Sequence, residues 1–300
     1  MGVKDIRQSV HYANYLKSEG WIVERVDQIN YSIKKLPLIG SILKLQRPEK
    51  IDLVSMIRII DTYRVFQTIV EPKNESQAKI LVSNGFYLSK NPYLPTKTLQ
   101  IDLTQSKEKI LSHFKKDARR AIKKTAFAMS RVHHSVGGEP RGDSGFIKEY
   151  STPSDIRRWR KAWRDSVNFS RFVPNERVLL NLRRSFPQNK SLFLASHNIS
   201  GSVIGGALFT ISSHERSNHI SYYWYGFTNS EGRTSLSQYS LLWNGILWAK
   251  KQGCKIFDFE GIYDSRFPNK SWLGFSHFKK SFGGVEVLYP GCYVRFRLPI

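Results

Sequence analysis

The chain has 300 residues, of which 47 are Lys or Arg and 24 are Asp or Glu, giving a net charge of +23. With 40% hydrophobic and 13% aromatic residues it can fill complete cores, which excludes a disordered chain and leaves room for two domains of about 150 residues or one large one. So much like charge repels itself and points to an anionic partner: a nucleic acid, an anionic lipid surface or a pyrophosphate-bearing substrate.

No run of about 18 apolar residues and no basic-then-apolar leader at Met1 occurs, which predicts a cytoplasmic protein without a membrane span. Cys254 and Cys292 are too few for a disulfide framework and read as reduced thiols. His133 and His134 are adjacent and no Cys or His pair has ligand spacing, so no metal site is expected.

Residues 13–18 look helical. Residues 21–26, 31–33 and 41–46 alternate like strands, with Lys34-Lys35-Leu36-Pro37 as a turn. Apolar spacing predicts a helix over 52–63, a buried strand over 65–70, a helix over 77–84 ended by Gly85, and a strand over 96–103 that closes a first domain. Strand and helix alternate throughout, so the economical architecture is an α/β unit around a mixed sheet.

Residues 106–125 read as one long helix with two unlike faces. Ile110, Phe114, Ala118, Ala121 and Ile122 line one side; Lys115, Lys116, Arg119, Arg120, Lys123 and Lys124 crowd the other. Like charges at this spacing repel by a few tenths of a kcal/mol per pair, which contact with phosphates would relieve; the alternative is a solvated face. Residues 137–143 form a flexible loop. Thr152 caps a further helix with Pro153 at its first position. Ile156, Trp159, Trp163 and Val167 point to the core, opposite a second basic face of Arg157, Arg158, Arg160, Lys161 and Arg164; the alternative is that the tryptophans and arginines stack on bases. Pro174 precedes another helix, which runs to Phe186.

Residues 191–196, 202–212 and 219–228 are three successive strands. Tyr223 and Tyr225, two apart, share one face of the third just before the Gly226 break. An amphipathic helix follows, with Tyr239, Leu242, Trp243, Ile246 and Leu247 on its apolar side and Gly253 as its stop. Residues 255–260 form a short buried strand that brings Asp258 and Glu260 to its end. The segment Phe278-Lys279-Lys280-Ser281-Phe282-Gly283-Gly284 reads as a lysine-bearing turn at the carboxyl end of that strand, where open sheets bind ligands.

In order, Tyr239…Trp243…Trp248-Ala249-Lys250…Gly253, Phe257-Asp258-Phe259-Glu260-Gly261-Ile262 and Phe278-Lys279-Lys280-Ser281-Phe282 resemble the signature end of the Fem family (FemABX). These are aminoacyltransferases that use aminoacyl-tRNA to build the peptide bridges of bacterial peptidoglycan. The resemblance implies an α/β (α+β) fold of two domains like Gcn5-related N-acetyltransferases (GNAT, the acyl-CoA N-acyltransferase type), each a mixed, mostly antiparallel sheet flanked by helices. The domains are expected at 1–128, with the linking basic helix 106–125, and at 129–300. With no charged heptad run, the chain resembles the compact, armless subgroup.

The same resemblance implies that Lys279 is the catalytic cation, Lys280 being the neighbour that a one-residue slip would promote, and that Phe278 touches the terminal nucleotides of the tRNA. Tyr223, Tyr225 and Arg171 are implied to bind substrate; an alternative register puts Val173 in the place of that arginine, and Arg177 lies nearest the place of a missing family tyrosine. Lys116, Arg119, Arg120, Lys123 and Lys280 are implied to hold tRNA. Asp258 and Glu260 read as structural or ligand-positioning groups rather than a general base, and the proton is expected to leave with help from substrate. Arg7-Gln8-Ser9 resembles the family's Gln-Ser opening, and Gln46-Arg47-Pro48 stands in the place of its Gly-Pro element without the glycine.

No cofactor is expected beyond aminoacyl-tRNA as co-substrate. Residues 229–236 carry one glycine, Gly232, where a loop that cradles the coenzyme A pyrophosphate has two, and no Gly-x-Ser-x-Gly elbow occurs. The expected acceptor is a peptidoglycan precursor, a lipid-linked or nucleotide-linked muropeptide. The expected protein is a cytoplasmic monomer whose charge permits peripheral contact with the inner face of the cytoplasmic membrane. Two other readings stay open: a GNAT-type N-acyltransferase using acyl-CoA, and a non-catalytic basic RNA-binding protein.

Overall fold

The structure is a computed structural model that describes residues 4–133, 145–167, 171–187, 189–212 and 219–297. It opens with helix α1 (Val10–Ser18), capped by Ser9, then strands β1 (Ile22–Val26), β2 (Ile29–Leu36) and β3 (Gly40–Gln46). Helix α2 (Leu53–Thr62), strand β4 (Val65–Glu71), helix α3 (Glu75–Ser83) and the short strand β5 (Tyr87–Ser89) follow. Next come β6 (Lys97–Asp102), α4 (Lys107–Ser112), α5 (Lys116–His133), β7 (Phe146–Tyr150), α6 (Pro153–Ser166) and α7 (Glu176–Ser185). The meander β8 (Ser191–His197), β9 (Val203–Ile211) and β10 (Ile220–Thr228) leads through α8 (Ser230–Thr234) into α9 (Ser237–Lys251). The chain closes with β11 (Ile256–Gly261), α10 (Leu273–Lys280), β12 (Val285–Leu288) and β13 (Cys292–Phe296).

Two mixed sheets flanked by helices result, in the orders β1-β2-β3-β4-β13-β5 and β12-β6-β11-β10-β9-β8-β7. Each has one parallel pair, β3 with β4 and β10 with β11, and is otherwise antiparallel. The sheets exchange strands. The last strand, β13, lies between β4 and β5 of the first sheet, and β6 lies between β12 and β11 of the second. Residues 96–103 therefore do not close the first domain. Leu99, Ile101 and Leu103 join the second sheet's core, and Thr98 and Gln100 hydrogen-bond the buried Asp258 of β11. Alternation foretold a strand here but carries no record of its partners.

The middle of the second sheet is covered on both faces, so β8 and β9 are buried along almost their whole length. Leu192, Leu194 and Phe209 face α5 and α9, while Phe193, Ala195 and Leu208 face α6 and α7. Trp159 is fully buried and its Nε1 donates to the carbonyl of Leu194 at 2.9 Å, and Trp163 packs beside it at 5.4 Å, both as core residues. The first sheet packs Tyr31, Ile33, Leu43 and Leu45 against Met56, Ile59 and Ile60 of α2 and Ala78 and Leu81 of α3.

The basic stretch 106–125 is two helices rather than one. The chain breaks over 113–115 to drop Phe114 between Trp243 (5.6 Å) and Phe282 (5.1 Å), both edge-on. The break is held by Lys115 N donating to Ser281 O at 2.8 Å and by Arg119, whose Nη1 donates to the carbonyls of Ser112 (3.0 Å) and Phe114 (2.6 Å). Position 128 falls inside α5, and the loop expected at 137–143 lies outside the described residues. Among the described residues no helix is long and apolar enough to cross a membrane.

Phe114 ties α5, α9 and the segment after α10 into one core. Phe114→Ala should cost about 3–5 kcal/mol, the usual range for emptying a buried aromatic site, read as a lowered urea midpoint without a change in slope.

Candidate active site

Strands β10 and β11 pair only as far as Tyr222 opposite Asp258. Beyond that point both bulge: β10 shifts register against β9 between Tyr223 and Tyr225, and β11 shifts against β6 between Asp258 and Gly261. Bulges bend strands and sharpen their twist, so the two carboxyl ends part and leave a wedge between them. The Glu260 carbonyl turns toward β6 and accepts from Thr98 Oγ1. The carbonyls on either side, of Phe259 and Gly261, therefore face the edge that β10 has left.

Lys279 fills that wedge. Its Nζ donates to Phe259 O and to Gly261 O, both at 2.7 Å, and the residue is 8% exposed. The rings of Phe275 and Tyr223 lie over the ammonium at 5.0 and 5.5 Å. Two of its three N–H donors are spent on the strand, which leaves one for the cavity that Lys279 lines. Burial lowers the ammonium to about 8, against the opposite pull of Glu260 and Asp258.

The lysine-bearing segment is a helix, α10, not a turn. Helical geometry puts Phe275 one turn before Lys279 on the same face, a neighbour that a turn would not predict. It also sends Lys280 the other way, to an exposed ion pair with Glu286 at 2.6 Å. Phe278 lines the cavity and packs edge-on against Tyr239 (4.9 Å) and Phe282 (5.5 Å).

The cavity in front of Lys279 holds about 1000 Å³ and gathers Tyr223, Tyr225, Arg171, Phe278 and Glu260 around it. The two tyrosines do not share a face. The bulge between them shifts the alternation, so Tyr223 packs on Phe209 (5.8 Å) in one core and Tyr225 on Trp163 (5.2 Å) in the other. Both still reach the cavity, because it lies across the end of the strand. Tyr223 Oη accepts from Gln238 Nε2 at 2.7 Å, and Gly226 makes room for it: a Cβ there would sit 1.7 Å from that oxygen.

Arg171 is exposed at the mouth beside Phe172, which is 85% exposed. Arg177 instead pairs with Glu19 at 3.8 Å, away from the cavity. Lys116, Arg120 and Lys123 are exposed on α5, Arg119 is turned back onto the helix break, and none of the four lines the cavity.

A chain of buried charge runs behind the wedge, and no local pattern in the sequence announces it. Glu260 Oε1 lies 2.9 Å from Arg7 Nη2 as an ion pair that is out of line for a hydrogen bond. Arg7 pairs with Asp5 at 3.3 Å, and Asp5 with Arg47 at 3.1 Å. Arg47 donates to Pro95 O at 2.7 Å and its guanidinium lies 3.6 Å from the Tyr289 ring centre. Burial alone would raise the Asp5 carboxyl; Arg7 and Arg47 outweigh it and hold it below its ordinary value. Asp258 has no such partner, and burial followed by the charge of Glu260 pushes it up to about 6. Glu260 and Arg47 both take left-handed backbone angles, φ +59° and +46°, which non-glycine residues keep only where their surroundings hold them.

Residues 229–236 do not form a paired-glycine cradle. Gly232 is needed for packing, since a Cβ would lie 2.1 Å from Ile204 O, and its N–H is already bound to Asn229 Oδ1 at 2.8 Å. Among the described residues no group of His, Cys, Asp and Glu is placed to hold a metal ion.

No protein-family model matches the chain, and no curated protein matches it in sequence. Solved structures do match. FemX superposes with a TM-score of 0.77 at 15% identity, over 98% of this chain and 92% of that one. The fold is that of the Fem-like GNAT proteins. The C-terminal domain of a putative lysylphosphatidylglycerol synthetase from Agrobacterium fabrum also superposes, with a TM-score of 0.61 at 11% identity over 96% of this chain and 88% of that one. A tandem GNAT protein from the clavulanic acid biosynthesis pathway matches at 0.50 and 8% identity over 89% and 82%.

The Gly226–Tyr223 contact is testable by itself. Gly226→Ala should lose about 1–3 kcal/mol by overpacking, and adding Tyr223→Phe, which removes the oxygen in the way, should recover part of that loss in thermal unfolding.

Proposed function

We propose that this protein is an aminoacyltransferase that moves an amino acid from aminoacyl-tRNA to an amine on the peptide stem of a peptidoglycan precursor. The observation that carries the reading is Lys279: a buried ammonium, fixed by two strand carbonyls, with its remaining donor toward a cavity large enough for a charged-tRNA terminus and an acceptor peptide. The names of the similar structures support aminoacyl chemistry, and Phe278, Tyr225 and Arg171 supply ring and cation contacts around the cavity.

The acceptor amine attacks the ester carbonyl of the aminoacyl-tRNA, and the C–N bond forms as the carbonyl oxygen gains negative charge. Lys279 donates to that oxyanion; a fixed donor in a water-poor site acts without reorganisation and is worth about 3–4 kcal/mol of barrier. The tetrahedral intermediate collapses, the C–O bond to the ribose breaks, and the proton from the former amine leaves with the ribose oxygen. Glu260, held in place by Arg7, orients the neutral acceptor amine by accepting one of its N–H hydrogen bonds; the proton the nitrogen sheds after attack is the one that leaves with the ribose oxygen. The cationic stretch of Lys116, Arg120 and Lys123 is assigned to the tRNA backbone.

Purified protein given charged tRNAs together with lipid-linked or nucleotide-linked precursor should yield a product heavier by one amino-acid residue. Lys279→Met should abolish that product while circular dichroism stays unchanged; near-normal transfer would remove the assignment. Thermal stabilisation by acetyl-CoA rather than by an acceptor-stem analogue would favour coenzyme-dependent acylation instead. Glu260→Gln should raise KM for the acceptor about tenfold, or about 1.4 kcal/mol, with a smaller change in kcat.

The pH dependence follows from the sign of the Lys279 shift. Nζ carries its proton below about 8 and loses it above, so transfer should fall as pH rises through 8. Between about 8 and the ordinary lysine value of 10.5 the native protein binds fewer protons than the unfolded chain, so stability contributed by this site should rise over the same window. Activity and stability moving in opposite directions, and the stability rise vanishing in Lys279→Met, is the expected signature.

A further inference from the structure

One end of the first sheet carries apolar and cationic side chains that no part of the proposed reaction uses. Strands β3 and β4 begin there side by side, Ser41 opposite Val65, and β2 ends there, Leu36 opposite Gly40. Strand β13 finishes at the same end, Phe296 opposite Gln67, next to the start of β5 at Tyr87.

The β2–β3 hairpin tip reads Pro37-Leu38-Ile39, where turn chemistry calls for Gly, Asn or Asp. Leu38 takes the left-handed conformation, φ +66°, and is 108% exposed; Ile39 is 54% exposed. About 10 Å along the sheet, two strand spacings away, Phe296 and Tyr87 stack at 6.4 Å and are likewise half exposed. These apolar groups contribute little to the core, and a polar turn would hold the hairpin equally well.

Cations surround them. Lys35 stands next to the tip, Arg64 lies beneath it with its carbonyl accepting from Ser41 N at 3.1 Å, and Lys17 closes α1 at the same end. Arg295 is turned to the Asn84 carbonyl at 3.0 Å and Arg297 neutralises Asp61, while Glu19 is taken by Asn181 and Arg177 and Glu24 accepts from Tyr63 Oη. The excess charge is positive, in line with the whole chain's +23.

We propose that this end of the first sheet is a docking surface for an anionic phospholipid bilayer, with Leu38 and Ile39 entering the headgroup region and the surrounding Lys and Arg side chains on the lipid phosphates. A nucleic acid has no use for a fully exposed leucine and isoleucine at a loop tip, whereas a charged interface over hydrocarbon uses both parts. The inference is independent of the transfer reaction, because Leu38, Ile39, Lys35 and Arg64 do not line the cavity in front of Lys279.

The full chain is mixed with sedimentable vesicles, either pure phosphatidylcholine or phosphatidylcholine with phosphatidylglycerol. It should partition onto the anionic vesicles only, and less as salt is raised. Leu38→Asp with Ile39→Asp should weaken partitioning at least tenfold, and Lys35→Glu with Arg64→Glu similarly. All four positions are exposed, so unchanged thermal unfolding should accompany both effects. Three results would overturn the proposal: no binding of the wild type to anionic vesicles at low salt; wild-type binding by the Leu38/Ile39 double variant; or loss in that variant of tRNA binding or self-association in place of vesicle binding, which would give the face to RNA or to a second copy.

Discussion

The site rests on a place where a sheet comes apart. Beyond Tyr222 and Asp258, β10 and β11 no longer hydrogen-bond, and two strand carbonyls face an edge without a partner strand. Buried carbonyls need donors, and Lys279 supplies them through two 2.7 Å bonds. The arrangement is reciprocal: the ammonium completes the strand edge, and the strand edge fixes an ammonium that would otherwise be free to leave for solvent. A cation held this way is fixed in advance, and that is the property the proposed oxyanion role draws on.

Everything near that lysine is shaped to keep the wedge open. The bulge in β10 sends Tyr223 and Tyr225 to opposite cores, Gly226 clears the space that Tyr223 Oη occupies, and Phe282 secures the end of α10 in the core beside Phe114. The buried run Glu260–Arg7–Asp5–Arg47 extends the constraint into the first sheet. Removing one member of such a run leaves an uncompensated buried charge, so the alternation of sign keeps the two units in register. The exchange of β6 and β13 does the same with backbone: each sheet contains a strand from the far part of the chain. The two units are thereby tied at their sheets and at their charges.

The cationic surface divides into different kinds of site. Arg119 and Lys280 satisfy local acceptors, a carbonyl pair and Glu286, whereas Lys116, Arg120 and Lys123 remain exposed. A basic stripe in a sequence is thus a mixture of structural and available cations. Which is which depends on the break at 113–115, which reorients the helix that carries them.

Much of the architecture was legible because periodicity is local. The meander at β8–β10, helix α9 and the buried strand at β11 all follow from apolar spacing within a few residues, and the short motifs at the end of the chain drew attention to Lys279, though not to Phe275 beside it. What periodicity could not carry was partnership. Nothing in residues 97–102 or 292–296 says which sheet they enter, since a strand's alternation fixes its faces and not its neighbours. The facing of Tyr223 and Tyr225 turned on one bulge residue, and the choice of Lys279 over Lys280 on whether the segment was a helix or a turn. The Arg7–Glu260 pair joins residues 253 positions apart, and only folding brings them within reach.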